Sequence, residues 1–431
     1  MPLLSTLGLK LSPISVPGEQ PLSWLLVDGI GGAGYASTAD DTDGNVYVVS
    51  YGSAARLNEY GNQVWANSYS GLQNMYNVAI DENRVYCIGG KAFSSDIELL
   101  ILDKSDGSVI YAGEVVGLKG DRAVAINTAD DILYLGGIGT TNDPVIASLD
   151  ISSSTPSING AVTISSIDRT GDFSVYDMAY NPQIGEVHVS ASTDFGTQGV
   201  IFFSVDEDTL NTQDGVSILP ASSQNMFYPL VSYNPTYSSI VGFSFTCLES
   251  GRGLEQVWGA YDGLDQVFSS LTPSFIRRNA ILPTYTTSFN GIATTQTGEF
   301  LLLSGKNYLG TVNTTNGADS AVSSFGTNPL YSDLFAISAT PGGIITGNGR
   351  DVIKLNSFYD PAVGYVNNNP SQGTFYDSSN GSINSQSIPG DFNIDDNMSI
   401  TDQSYSVSLS TLSVTATPYQ ITSLKYAIVT P

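Results

Sequence analysis

The chain has 431 residues, with 41 acidic against 15 basic side chains and a formal net charge of −26. Binding a phosphate backbone needs clustered lysine and arginine, so this balance argues against it and no nucleic-acid partner is expected. Only 13% of residues are charged, so the chain is no polyelectrolyte; Ser, Thr, Asn and Gly must cover its surface, and the acidity serves solubility and mutual repulsion.

The first twenty residues, MPLLSTLGLKLSPISVPGEQ, form a Pro-containing apolar arm. It has no basic start, and Lys10 and two prolines break its apolar run, so no cleaved signal peptide is expected. No stretch reaches the roughly 18 consecutive apolar residues of a membrane helix, so no membrane insertion is expected. Cys87 and Cys247 lie far apart, each inside an apolar run. That excludes a disulfide framework and predicts two buried free thiols.

From Pro21 onward the chain shows short apolar strands bounded by Gly, Asn, Asp or Pro, the pattern of an all-β fold. One element recurs seven times: an apolar pair, a polar turn, a strand of four or five residues, then a small residue. It is seen as ASTADDTDGNVYVVSYG, then VAIDENRVYCIGG, VAINTADDILYLGG, MAYNPQIGEVHVSA, VSYNPTYSSIVGFS, IATTQTGEFLLLSG and AISATPGGIITG. With Val46, Val85, Leu133, Val187, Val241, Phe300 and Ile344 as the matching position, the intervals are 39, 48, 54, 54, 59 and 44 residues. These lie in the range of four-stranded propeller blades. A second hairpin follows each element, as in ARLNEYGNQVWANSY and LLILDKSDGSVIYAG. The expected fold is therefore a seven-bladed β-propeller over residues 21–369, an array that leaves only short, protected sheet edges. PLSWLLVDG resembles the outer strand QVWANSYSG; Trp24 is expected to close the ring beside blade seven.

Residues 370–400, rich in Ser, Asn and Gly, are expected to be a linker. Residues 401–431 alternate again through Tyr405, Val407, Leu409, Leu412, Val414 and Ile421. This strand-like tail either packs on the side of the disc or pairs with another chain by strand addition. The apolar positions Leu3, Leu4, Leu7 and Leu9 of the arm and those of the tail are the expected assembly contacts.

Candidate chemistry is sparse. The one histidine, His188, holds the strand position that Tyr47, Tyr86 and Tyr134 hold in other repeats, which points to packing between blades. With one His and two distant Cys, His/Cys zinc sites and Cys–His dyads are excluded. Gly29 to Gly34 match a G-x-G-x-x-G string, but the following residues lead to another strand and not to the helix a pyrophosphate needs. Asp41, Asp43 and Asn45 resemble the start of a calcium loop. The matching turns of the other repeats keep the turn formers and lose the ligand spacing, and a twelve-residue frame from Asp41 ends at Gly52 without the bidentate Glu. A turn is the preferred reading, with Ca²⁺ the alternative and no other cofactor expected.

Trp24, Gly29-x-Gly31-Gly32-x-Gly34-Tyr35 and Asp41-Thr42-Asp43-Gly44-Asn45-Val46-Tyr47-Val48 together resemble the β-propeller repeat of the SBBP type. Arg56 to Trp65 resemble that repeat's following hairpin, and Gly89-Gly90 and Gly136-Gly137 are similar to the double glycine of kelch blades. The start MPLLSTLGL and the Ser/Thr/Leu-rich tail resemble structural proteins of tailed phages from marine and cyanobacterial hosts. The resemblance implies a non-enzymatic virion protein, assembled in the host cytoplasm as part of an oligomeric particle. Its propeller would stand on a tail fibre or baseplate for host attachment, and its termini would dock to neighbouring virion proteins. The implied partners are those proteins and a host-surface glycan or protein. Head decoration, or a propeller whose mouth binds or cleaves glycans, are the alternatives.

Overall fold

The computed structural model describes residues 24–26, 37–40, 43–59, 61–90, 95–166, 173–193, 199–220, 225–233, 240–249, 253–262, 275–279, 289–294, 300–305, 308–313, 319–324, 336–340, 343–347, 352–355, 385–387, 392–395, 400–421 and 423–425. All the regular structure in these residues is β-strand. The strands form six antiparallel sheets, of which the nine-stranded one runs through two successive meanders. Blade 1 runs Ser37–Asp40, Val46–Ser50, Ser53–Leu57 and Gln63–Ser70. Blade 2 starts at Asn74–Ile80 and blade 3 ends at Ser157–Ser166; the long strand Val109–Asn127 serves both, as the outer edge of one and the inner strand of the next. Blades 4, 5, 6 and 7 start at Phe173–Asn181, Asn225–Tyr233, Phe289–Thr294 and Ala336–Thr340.

The first strands of successive blades are neighbours all the way round, and that of blade 7 returns to that of blade 1. The seven matching positions each fall at the first or second residue of a blade's second strand. The propeller architecture expected from the repeat is therefore present.

A blade is covered on both faces by its neighbours, which explains an apolar run such as Leu99–Leu102 within a middle strand. In Asp96–Asp103, Leu99 and Ile101 pack into a core shared with Leu133 and Leu135 of blade 3. The alternate residues Leu100 and Leu102 pack with Tyr47 and Val49 of blade 1. The two-residue period of a strand thus sorts one apolar run into two inter-blade cores.

Blade 7 takes its fourth strand from the beginning of the chain. Trp24–Leu26 pairs with Val352–Leu355, placing Trp24 opposite Lys354. This is the pairing that ring closure by the Trp24 segment requires.

The tail forms a strap around the disc. Ser385–Ser387, Phe392–Asp395, Ile400–Ser404, Ser408–Thr411, Thr415–Pro418 and Ser423–Lys425 each add an antiparallel strand to one blade. They take blades 5, 4, 3, 2, 1 and 7 in that order, the reverse of the chain direction of the disc. Among the described residues, only blade 6 has no fifth strand. Residues 370–400 are accordingly not a linker throughout, since 385–387 and 392–395 are strands. Their polar composition hid them because an added strand is held by main-chain hydrogen bonds, which any residue except proline supplies.

Candidate functional site

The carboxylates are placed first by turn chemistry. Asp103, Asp150 and Asp206 each end the third strand of a blade and Asn58 follows one, and the side-chain Oδ1 accepts an N–H two to four residues on, at 2.8–2.9 Å. Hydrogen bonds from Ser105 and Ser152 hold the carboxyls of Asp103 and Asp150 below the usual range. The turns between first and second strands work alike: Asp81 Oδ1 accepts from Asn83 N and Arg84 N, and Asn127 and Asn181 cap their own turns. These four Asp residues therefore serve turn chemistry, in which Asx side chains stand in for main-chain acceptors. Asp43 and Asn45 lie in the equivalent turn of blade 1, where Gly44 has φ of 75°. Asp41 lies outside the described residues. No group of three His, Cys, Asp or Glu able to hold a metal occurs among the described residues.

The second set of polar residues ties blade to blade. The residue after each closing Asp reaches the preceding blade. Lys104 Nζ of blade 2 lies 5.4 Å from the ring centroid of Tyr47, with the Arg56 guanidinium 5.7 Å away from the same ring. The Lys104 carbonyl accepts from Arg56 Nη1 and Trp65 Nε1, both at 3.0 Å. At the next boundary the Arg84 guanidinium donates to the carbonyls of Ile151 and Ser153.

Between blades 3 and 4 the contacts become a network. Tyr134 donates to the Glu207 carbonyl at 3.2 Å, Tyr180 donates to the Glu207 carboxylate, and Asn127 Nδ2 donates to both Glu207 and Asp130 at 3.0 and 2.9 Å. The two tyrosine rings stack with centroids 6.0 Å apart. Burial raises both phenols well above their ordinary value, and the nearby Glu207 charge adds to the rise. They stay protonated donors, and the network acts as a hydrogen-bonded tie across the boundary.

His188 holds the strand position in blade 4 that Tyr47, Tyr86 and Tyr134 hold in blades 1 to 3. Its strand-one partner is Ala179, as Ala39, Ala79 and Ala125 are partners of Tyr47, Tyr86 and Tyr134. Burial pulls its pKa down to about 4, so the imidazole is neutral, with Nε2 3.5 Å from Asn181 Nδ2. Cys87 and Cys247 are buried free thiols, and burial pushes the Cys87 thiol far up.

Asp177 is the acid drawn towards neutrality. It sits at a register irregularity in the first strand of blade 4, and its Oδ2 accepts from Val231 N of blade 5 at 3.1 Å. Part of its surface stays open, yet the surrounding protein desolvates the carboxyl and pushes its pKa up to about 7.

The tail residues expected to serve assembly are turned to the chain's own disc. Tyr405, Val407 and Leu409 pack on the core between blades 2 and 3, and Leu412 and Val414 on that between blades 1 and 2. The main-chain N–H of Tyr405, Leu412 and Tyr419 donates to the carbonyls of Ala161, Ala112 and Ala66, at 2.9, 2.9 and 3.0 Å. Tyr405 Oη also donates to the Gly117 carbonyl and accepts from Thr140 N, each at 2.9 Å. Gln63 clamps the strap from both sides, donating to the Tyr419 carbonyl and accepting from Ile421 N. Asp402 accepts from Thr212 N at 2.7 Å, joining the strap of blade 3 to blade 4.

These contacts follow a seven-residue period that the alternation had obscured: Tyr405, Leu412 and Tyr419 on one register, Val407, Val414 and Ile421 on another. The disc makes room with glycine. Gly71 (φ 95°) and Gly117 (φ 94°) turn the chain at equivalent places, where a Cβ would meet the Ser413 carbonyl oxygen at 2.8 Å and the Ser406 one at 3.3 Å. Leu3, Leu4, Leu7 and Leu9 lie outside the described residues.

The closed circuit of blades and their ties define the class: an all-β propeller. No protein-family description matches the chain, and no curated protein matches it. Among solved structures it is similar to the β-propeller domain of Cps50 (Swd1) from Myceliophteria thermophila, at 11% identity and a TM-score of 0.50. The match covers 77% of this chain and 100% of that one. Such a likeness carries the fold and nothing about activity.

Proposed function

We propose that the chain is a non-enzymatic structural protein of a tailed-phage particle, with the propeller displayed on the tail fibre or baseplate for attachment to the host surface. The observation that carries this reading is the strap: six short strands between Ser385 and Lys425 each cover the outer edge of one blade. Sealed edges suit a β-rich disc that must persist at high local concentration outside a cell, because unpaired edges template aggregation. The outward side of the strap is a row of exposed hydroxyls, among them Ser404, Ser406, Ser408, Ser413, Thr415 and Thr417. Docking to neighbouring virion proteins falls to the N-terminal arm, because the tail's apolar side is occupied by the disc. Mass spectrometry and antibody labelling of purified particles test the reading. The chain is expected on the tail; label on the head makes it a decoration protein, and particles that lack the chain refute the virion role.

A further inference from the structure

We propose that the strap is the latch of the ring: its hold on blades 1 to 5 keeps the N-terminal closing strand in place. Trp24–Leu26 has only three residues, and it is sandwiched between two other strands. On its inner side it pairs with Val352–Leu355, and on its outer side with Ser423–Lys425, the last described strand of the strap. Leu25 is thus opposite Ile353 on one side and Leu424 on the other. A strand this short contributes few ladder bonds to either neighbour, so its order depends on what holds those neighbours.

What ties it down is remote. Ser423–Lys425 is itself short, and the described chain before it is held at Gln63 of blade 1 and at the Ala66, Ala112 and Ala161 carbonyls. Each attachment is one N–H, one wedge side chain and a few ladder pairs, repeated at seven-residue intervals. Such a tape is multivalent: every step raises the local concentration of the next at its own blade. Releasing the middle of the tape therefore lowers the occupancy of its end, and the closing strand loses its outer neighbour.

The geometry separates the latch from a mere covering. Leu412 packs at the boundary of blades 1 and 2, away from Trp24–Leu26. Hydrogen exchange on the full chain, followed by mass spectrometry, compares wild type with Leu412→Ala. The variant is expected to exchange about tenfold faster at Ser408–Pro418, at Ser423–Lys425 and also at Trp24–Leu26, with Ile132–Ile138 of blade 3 unchanged, a size typical of one lost buried contact. Acceleration confined to Ser408–Pro418, with Trp24–Leu26 as protected as in wild type, overturns the proposal. Should the variant fail to fold, wild type in low denaturant gives the same decision. Trp24–Leu26 and the strap are expected to open together, with one denaturant dependence. Opening of the closing strand while the strap stays protected refutes the latch.

Discussion

Replacing Asp177 by Asn removes a charge that the fold holds at a cost, and the cost has a sign that pH reveals. The carboxyl pKa is pushed up to about 7 from an ordinary 3.8, because desolvation outweighs the N–H groups of Val231 and Met178 that favour the anion. Between about pH 4 and pH 7 the folded chain binds a proton that the unfolded chain has released, so stability falls as pH rises through that window and is level above it. Three units correspond to about 4 kcal/mol at full effect. The side chain keeps some solvent contact, and screening reduces this to about 2 kcal/mol. Asn preserves an oxygen acceptor for Val231 N, so the tie between blades 4 and 5 survives. Urea unfolding of wild type and Asp177→Asn at pH 4.5, 6 and 8 reads the difference. The variant is expected to be the more stable by about 2 kcal/mol at pH 8, with the gap closing as the pH approaches 4. A gap that is constant with pH, or that widens in acid, refutes the assignment of the cost to a desolvated carboxylate.

Tyr405→Phe keeps the ring and deletes the hydroxyl between Gly117 O and Thr140 N; a local loss of about 1–2 kcal/mol is expected, read as faster proteolysis of the tail with the disc intact. Gly113→Ala places a Cβ about 2.2 Å from the Ser410 carbonyl oxygen. It is expected to speed hydrogen exchange at Ser408–Thr411 while the rest of blade 2 keeps its protection. Cys87 and Cys247 are expected to resist iodoacetamide in the native protein and to react in urea, since both are buried; intact mass before and after unfolding checks this.

The blades were legible because their signal is local and repeated. A turn, then Val46, Val85, Leu133, Val187 or Val241 at full burial, marks the second strand in five blades, and steric demands between blades renew that pattern in each copy. The place of His188 among Tyr47, Tyr86 and Tyr134 was legible for the same reason. The tie at Glu207 was not, since it depends on which turn of blade 4 faces which strand of blade 3, a long-range fact without a motif. The strap was half legible. Its seven-residue period stands in the sequence at Tyr405, Leu412 and Tyr419, but the carbonyls that receive it belong to alanines and leave no side-chain trace.

Two periods meet at the rim, and their ratio explains the tail. A blade consumes about 50 residues because its chain must run through four strands, whereas the strap needs only the distance between neighbouring outer edges. Seven residues of extended chain reach about 23 Å, so the tape advances one blade per step and returns in phase at each alanine carbonyl. Phase also fixes polarity: the tail must run against the outer strands to pair antiparallel, and so it visits the blades in descending order. The order is the consequence of pairing geometry and needs no separate instruction. The alternation of Tyr405, Val407 and Leu409, and of Leu412 and Val414, is the imprint of successive grooves on the chain's own disc.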